Sequence, residues 1–227
     1  MEKNQYKLCV EVLRRLKNAD VLQNMILIGS WCMSFYKDYF SGIDYSPSMK
    51  TRDIDFLIPR PGAMKSKANI FEIMKDLGFV RGFRGREGYI VLEHPELAIE
   101  FLVPEKGKGT DKPVQLPQLG LNAQALRFLE LLAQDTIDVK VNDISFRLPH
   151  PANFALHKLI ISKRRRQKDK SDKDREAGLK ILKALTNQKE QRLIKKVFDS
   201  IPSKWRKTIL EELENAEEWQ LIQILKK

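Results

Sequence analysis

The sequence has little of what disulfide-rich, zinc-binding and membrane-spanning proteins require. Only two of the 227 residues are cysteine. Cys9 and Cys32 are too few for a disulfide framework and do not have metal-ligand spacing. No apolar run approaches the roughly 18 residues of a membrane helix, and residues 1–16 mix charged with apolar residues instead of forming a secretion signal. We therefore expect a cytoplasmic protein with reduced, packed thiols and no membrane partner.

The charge of the chain is strongly one-sided. Lys and Arg number 41 against 30 Asp and Glu, which gives a formal net charge of +11. Hydrophobic residues make up 42% of the chain, a normal share for a globular protein. A basic surface attracts phosphates, so the composition favours an anionic partner such as a nucleoside triphosphate or RNA.

Hydrophobic periodicity predicts a mixed α+β region followed by a helical one. Strands are predicted at 25–28, 54–58, 88–93 and 97–103, and a hairpin at 136–141 and 144–148. Helices are predicted over 6–16, from 31, over 70–77 and over 123–132, with a long loop at 104–120. After Pro149 the pattern is entirely helical. We expect a catalytic domain over 1–149, with a mixed β-sheet flanked by helices, and a helical bundle over 150–227.

The sharpest motif is Asp53-Ile54-Asp55. On a strand the two carboxylates share one face, about 6.6 Å apart, while Ile54 points into the core. Two adjacent acids repel each other unless they are solvated or bridged by a cation such as Mg²⁺. An exposed strand start with two solvated acids remains the simpler reading of this motif taken alone.

Two further features favour a cation site over a pair of solvated acids. Glu100 lies in the otherwise apolar stretch 97–102, where a charge is costly without a partner, although an edge residue facing water would also explain it. Gly29 and Ser30 follow a predicted strand and precede a helix. Such a turn can be an ordinary capped turn, or it can hold phosphates through its free N–H groups. Together, three carboxylates can hold two Mg²⁺ or Mn²⁺ ions that orient a triphosphate for attack at its α-phosphorus.

These residues resemble the polymerase-beta-type nucleotidyltransferase superfamily. Its motif combines a Gly-Ser or Gly-Gly turn, an Asp-x-Asp strand and a third acid on a later strand, here Gly29-Ser30, Asp53-Ile54-Asp55 and Glu100. The resemblance implies that Asp53 and Asp55 hold both metal ions. It gives Glu100 the third-acid role, in which it binds the catalytic metal and helps to activate the incoming hydroxyl.

The chain also resembles, over most of its length, a family of bacterial nucleotidyltransferase-like proteins akin to those of abortive-infection and toxin–antitoxin systems. The matching stretches are residues 117–132, 151–159, 173–175 and 201–206. This resemblance admits an antitoxin-like protein partner. The 24 residues from Gly29 to Asp53 exceed the superfamily's minimum, and we expect 37–50 to be a lid or an elaborated connection.

A basic cluster follows in the helical region. Residues 163–166 are four consecutive cations, Arg164 among them, and fit a phosphate clamp for a nucleotide or an RNA acceptor. Beyond them the charges alternate, so we expect i,i+4 ion pairs such as Asp169 with Lys173. By resemblance, Lys158 and Asp174 act near the nucleotide, with Asp172 as a competing alignment for the latter.

We therefore expect an enzyme that transfers an NMP from an NTP to a hydroxyl of RNA, protein or a small molecule. The alternatives are a catalytically silent nucleotide- or nucleic-acid-binding module and the toxin component of a toxin–antitoxin pair.

Overall fold

Helices and short strands alternate along the first two thirds of the chain in the computed structural model, which describes residues 3–46, 51–105, 107 and 112–227. The described residues form two compact units. The first is drawn from Met1–Phe35 and Ser48–Pro149, and the second from Tyr36–Pro47 and His150–Lys227. None of the helices in the described ranges is long and apolar enough to cross a membrane, and both cysteines are buried.

The first unit contains nine strands and four α-helices among its described residues. The strands are β1 (Ile26–Ile28), β2 (Asp53–Leu57), β3 (Val80–Arg84), β4 (Tyr89–Glu93), β5 (Ala98–Pro104), β6 (Val114–Leu116), β7 (Leu121–Leu126), β8 (Thr136–Val141) and β9 (Ile144–Pro149). The helices are α1 (Lys3–Asn18), α2 (Trp31–Phe35), α3 (Ile70–Met74) and α4 (Leu129–Gln134). Short 3₁₀ turns occur at Leu22–Asn24, Pro61–Ala63 and Lys75–Leu77.

Seven of these strands form one mixed sheet. Its order is β1-β2-β5-β4-β3. In addition, β7 pairs with the end of β5, and β6 pairs with β7. The β2–β5 and β5–β7 pairs are parallel and the other pairs are antiparallel. The strands β8 and β9 form a separate antiparallel hairpin. The expected α+β class is confirmed.

The two faces of β2 and β5 differ because side chains alternate along a strand. Phe56 and Phe101 are register partners whose rings stack at 5.9 Å on one buried face. The opposite face carries an apolar cluster at one end of the strands, formed by Ile26, Ile28, Leu57, Leu102, Leu129 and Leu132. The other end of that same face carries the acids described below.

Two sequence predictions for this unit are wrong. Residues 121–126 are a strand, and helix begins only at Leu129, although Ala, Gln and Leu favour helix. Burial of Leu121 and Ala123 on alternate positions, together with parallel pairing to β5, outweighs that preference. In the loop expected over 104–120, Val114–Leu116 forms a strand, and residues 106 and 108–111 lie outside the described residues.

The strand β3 was not predicted at all. It is an edge strand, and its apolar residues Val80 and Phe83, which point to opposite faces, are 60% and 67% exposed. A strand without a buried face has no hydrophobic alternation in its sequence.

The second unit is helical. It contains α5 (Pro151–Ser162), α6 (Lys168–Asn187), α7 (Gln191–Ser200), α8 (Ser203–Asn215) and α9 (Trp219–Lys226). Helix α5 is buried along nearly its whole length, and α6 approaches it closely at Gly178. A Cβ on Gly178 would lie 2.9 Å from the carbonyl oxygen of Ala155. Larger side chains at this position would push the two helices apart.

Residues 36–46 belong to the second unit although they precede β2 in the sequence. The Tyr36 ring meets Phe154 edge-on at 5.6 Å. Tyr39 Oη donates a hydrogen bond to Glu190 Oε2 at 2.8 Å, and Gln188 Nε2 donates to the Tyr39 carbonyl at 2.8 Å. This segment is therefore fixed by helical residues far along the chain.

Candidate active site

The Gly-Ser turn lies where β1 ends and α2 begins. Gly29 has φ +74°, a left-handed conformation that favours glycine. A Cβ at Gly29 would lie only 2.2 Å from Asp55 Oδ2. The missing side chain is therefore what allows the turn to pack directly against the Asp55 carboxylate. Ser30 is half-buried beside it, and its carbonyl accepts a hydrogen bond from Met33 N at 3.1 Å.

The three predicted acids lie on one face of the sheet. Asp53 and Asp55 flank the buried Ile54, and the parallel register of β2 with β5 places Asp55 directly beside Glu100. The Glu100 side chain is only 14% exposed, whereas that of Asp53 is 50% exposed. The structure thus brings together four of the residues expected from the sequence: Gly29, Asp53, Asp55 and Glu100.

An arginine that belongs to none of the motifs found in the sequence joins this group. Arg84, the last residue of β3, donates from Nη1 to Glu100 Oε1 and to Asp53 Oδ1, the latter at 3.5 Å. Its Nη2 lies 3.5 Å from Glu93 Oε1. Partial burial alone would lower the pKa of Arg84, but the charges of Glu100 and Asp53 outweigh that effect and raise it. One guanidinium therefore forms ion pairs with three carboxylates, those of Glu100, Asp53 and Glu93.

Tyr89, the register partner of Arg84 on β4, completes this end of the sheet. Burial raises the pKa of its phenol, and the negative charge of Glu100 adds to the rise while Arg84 opposes it. Its ring lies over Gly85, where a Cβ would be 2.7 Å from Cε1. Since β3 has no apolar pattern, nothing in the sequence could place Arg84 beside the acids. Tyr89 lies in the strand predicted over 88–93, but no motif singled it out.

The donor set suits a hard divalent cation. Carboxylate oxygens are the ligands that Mg²⁺ and Mn²⁺ prefer, and Arg84 shows that Glu100 and Asp53 converge within reach of one positive group. Within the described ranges, however, no three His, Cys, Asp or Glu side chains already form a cluster that could hold a metal ion. The residue types and their common face fit a metal site, while the side chains of Glu100 and Asp53 are bonded to the guanidinium.

The second unit contains the other predicted site residues. Lys158 Nζ donates to Asp174 Oδ1 at 2.6 Å, and Arg165 Nε donates to Asp174 Oδ2 at 2.7 Å. Lys158 and Asp174 are both 6% exposed. Burial alone would raise the pKa of Asp174, but the charges of Lys158 and Arg165 outweigh it and hold that pKa below its usual range. This buried pair links α5 to α6.

The exposed cations of 163–166 are partly compensated by acids elsewhere in the chain. Lys163 pairs with Glu211 at 2.6 Å, and Arg165 pairs with Asp174. The i,i+4 pairs expected farther along do not form among the described residues. Asp174 faces Lys158, and Asp172 pairs instead with Arg175 at 2.5 Å. Arg164 is exposed at the end of α5.

His157, next to Lys158 on α5, is packed as expected. It is 6% exposed, and neither ring nitrogen has a hydrogen-bond partner. Burial, with the nearby Lys158 charge, lowers its pKa to about 3. The imidazole is therefore neutral at pH 7.

A mixed sheet with a Gly-Ser turn after its first strand and Asp-x-Asp on its second defines the nucleotidyltransferase-type fold. This fold is shared with the crystal structure of ANT(2'')-Ia in complex with adenylyl-2''-tobramycin, at 13% identity over 87% of this chain and 99% of that chain, with a TM-score of 0.50. The solution structure of ANT(2'')-Ia matches at 12% identity over 85% and 95%, with a TM-score of 0.45. An antigenic nucleotidyltransferase-like protein from Paracoccidioides brasiliensis matches at 13% identity over 85% and 90%, with a TM-score of 0.40.

The chain belongs to a nucleotidyltransferase family, whose pattern matches residues 7–202. The protein is accordingly an enzyme of nucleotidyl transfer, as the sequence motifs predicted. No curated protein matches the sequence significantly. The structural neighbours, at these identities, concern the fold alone.

Proposed function

We propose that the chain transfers an NMP from an NTP to a hydroxyl acceptor at the face formed by Asp53, Asp55 and Glu100. The observation that carries this proposal is the register of β2 with β5, which sets Asp55 beside Glu100, with the Gly29 backbone against the Asp55 carboxylate. Family membership supplies the reaction class. The position of the three acids on one face of β2 and β5 supports the choice of this face as the site.

Asp53, Asp55 and Glu100 would hold Mg²⁺ or Mn²⁺, with two ions expected. A bound divalent cation supplies charge neutralisation for the triphosphate and lowers the pKa of an attacking hydroxyl. Glu100 would accept the hydroxyl proton, and the low exposure of its side chain, 14%, supports this role because it keeps the carboxylate largely out of water. The acceptor oxygen then bonds to the α-phosphorus, and the bond from that phosphorus to the β-phosphate oxygen breaks and releases pyrophosphate. The N–H groups at Gly29 and Ser30 would hold the departing phosphates.

In the second unit, we propose Arg164 as a contact for phosphates of the nucleotide or of an RNA acceptor. Lys158 and Asp174 neutralise each other, so neither charge is left to bind a phosphate directly. We propose that this pair acts near the nucleotide indirectly, by fixing α5 against α6 next to the exposed cations that follow α5. The exposed stretch 163–170, in which six of the eight residues are Lys or Arg, and the net charge of +11 favour an anionic acceptor such as RNA.

Transfer is tested with α-labelled and γ-labelled forms of each NTP, incubated with total RNA, total protein or hydroxyl-bearing small molecules such as aminoglycosides. The last group is included because a structure of ANT(2'')-Ia holds adenylyl-2''-tobramycin. We expect the α label to enter one acceptor class, the γ label to appear in pyrophosphate, and chelation of divalent metal to stop both. Transfer of the γ label to the acceptor would show a kinase and contradict the proposal, as would undiminished α transfer after chelation.

A further inference from the structure

The Arg84 guanidinium occupies the position between carboxylates that a metal ion would also use. We infer that Arg84 is a positioning residue, a resident counter-ion that competes with the divalent cation for Glu100 and Asp53. This inference rests on the proposed function, because it takes those two acids as metal ligands.

The competition follows from the atoms that are shared. Arg84 Nη1 donates to Glu100 Oε1 and reaches Asp53 Oδ1 at 3.5 Å. A divalent cation bound directly to the same oxygens would lie about 2.1 Å from them. A guanidinium and a metal ion held on the same oxygens repel each other. Arg84 must therefore leave Glu100 before the metal can bind there fully.

Arg84 also explains how the acids remain together without a metal. Glu100 is 14% exposed and its register partner is Asp55, so its charge needs a partner close by. The guanidinium supplies one positive charge to the facing side chains of Glu100 and Asp53. The face is thereby kept assembled before metal arrives, at the expense of metal affinity.

The β3–β4 hairpin provides an alternative carboxylate partner for the Arg84 side chain. Its third partner, Glu93 on β4, is 46% exposed and lies 3.5 Å from Nη2. Gly82, two residues along β3 from the register partner of Glu93, leaves room for that side chain, since a Cβ there would lie 2.8 Å from Glu93 Cδ. Rotation of the Arg84 side chain, itself 36% exposed, can release Glu100 and Asp53 while the contact with Glu93 is kept. Glu93 is not among the predicted metal ligands, so it stays available.

The inference is tested by titrating the full chain with Mn²⁺ alone in a calorimeter, without nucleotide. Arg84→Gln removes the guanidinium and keeps a polar side chain. The matched control is Arg86→Gln, which removes the same charge from an exposed residue of the adjacent turn. We expect Arg84→Gln to lower the Mn²⁺ dissociation constant at least fivefold and Arg86→Gln to change it less than twofold. Adding Glu100→Gln to Arg84→Gln should abolish the gain.

Arg84→Lys provides a second variant, because it keeps the charge but loses the planar fork. Its dissociation constant should lie between those of the wild type and Arg84→Gln. Melting temperatures give an independent readout: without metal, Arg84→Gln should melt below the wild type, and saturating Mn²⁺ should close that gap.

The outcomes separate this inference from the proposed function. Measurable Mn²⁺ binding that Arg84→Gln leaves unchanged or weakens would overturn the counter-ion role and leave the metal site standing. Binding that appears only in Arg84→Gln would support the inference strongly. Absence of Mn²⁺ binding in the wild type and every variant would overturn the metal site and the inference with it.

Discussion

Replacing Asp174 with Asn tests the buried pair that links α5 and α6. The change keeps the shape of the side chain but leaves the Lys158 ammonium, whose side chain is 8% exposed, without the carboxylate that lies 2.6 Å from it. Removing one partner of a buried ion pair costs about 3–5 kcal/mol, since the remaining charge stays desolvated. In a chain of this size, 1 kcal/mol shifts the melting temperature by about 2–4 °C, so we expect a fall of about 10 °C.

The same reasoning predicts a pH dependence with a definite sign. The folded-state pKa of Asp174 is held below its ordinary value of 3.8. Its contribution to stability is therefore complete above pH 3.8 and is lost as the pH falls through the lower folded-state pKa. The gap in melting temperature between the wild type and Asp174→Asn should be constant from pH 7 to about pH 5 and should shrink in stronger acid.

Two controls separate the charge effect from damage to packing. Arg165→Gln removes the other partner of Asp174, but the Arg165 side chain is 43% exposed, so it should cost less than about 1 kcal/mol. The double variant Lys158→Met/Asp174→Leu replaces both charges with apolar groups and should recover most of the loss. Thermal unfolding followed by far-UV circular dichroism measures all four proteins. Equal losses in Arg165→Gln and Asp174→Asn, or a double variant less stable than Asp174→Asn, would refute the reasoning.

Two more predictions concern Gly29 and His157. Gly29→Ala puts a Cβ 2.2 Å from Asp55 Oδ2 at a φ of +74°, so it should weaken both Mn²⁺ binding and nucleotidyl transfer at least tenfold. The control Gly62→Ala, with nothing within 4 Å of its Cβ, should change neither. Normal transfer by Gly29→Ala would show that the close packing is dispensable. Since the pKa of His157 falls to about 3 on folding, the stability that its neutral form contributes is lost as the pH drops below about 6.5. His157→Leu should therefore show a smaller fall in melting temperature between pH 7 and pH 4 than the wild type, and identical profiles for the two proteins would contradict the shift.

The sequence predicted those parts of the fold in which apolar pattern and turn chemistry agree. β1, the Gly29 turn and β2 are such a case, because buried apolar runs end at glycine or proline. The residues of β7 were misread because their helix-favouring side chains pair with β5 in a way that only the assembled sheet defines. Local preference carries no information about a partner strand.

The three acids of the candidate site could be grouped from the sequence because Asp53 and Asp55 share a face by strand geometry and Glu100 is an isolated charge in an apolar strand. The role of Arg84 could not be predicted from the sequence, because its strand is exposed and Glu100, which it contacts, is 16 residues away along the chain. The buried ion pair between Asp174 and Lys158, which lies on the preceding helix, could not be predicted from the sequence either. Charges that pair across elements are visible only after the elements have been placed.

The most direct test of the account is nucleotidyl transfer by Asp55→Asn compared with Asp138→Asn. Both variants make the same chemical change, but Asp138 is an exposed residue of β8, outside the sheet that carries the acids. We predict that release of pyrophosphate and labelling of the acceptor from an α-labelled NTP disappear with Asp55→Asn and persist with Asp138→Asn. Transfer by Asp55→Asn at the wild-type rate would mean that this carboxylate, and the face of the sheet built around it, is not where the reaction takes place.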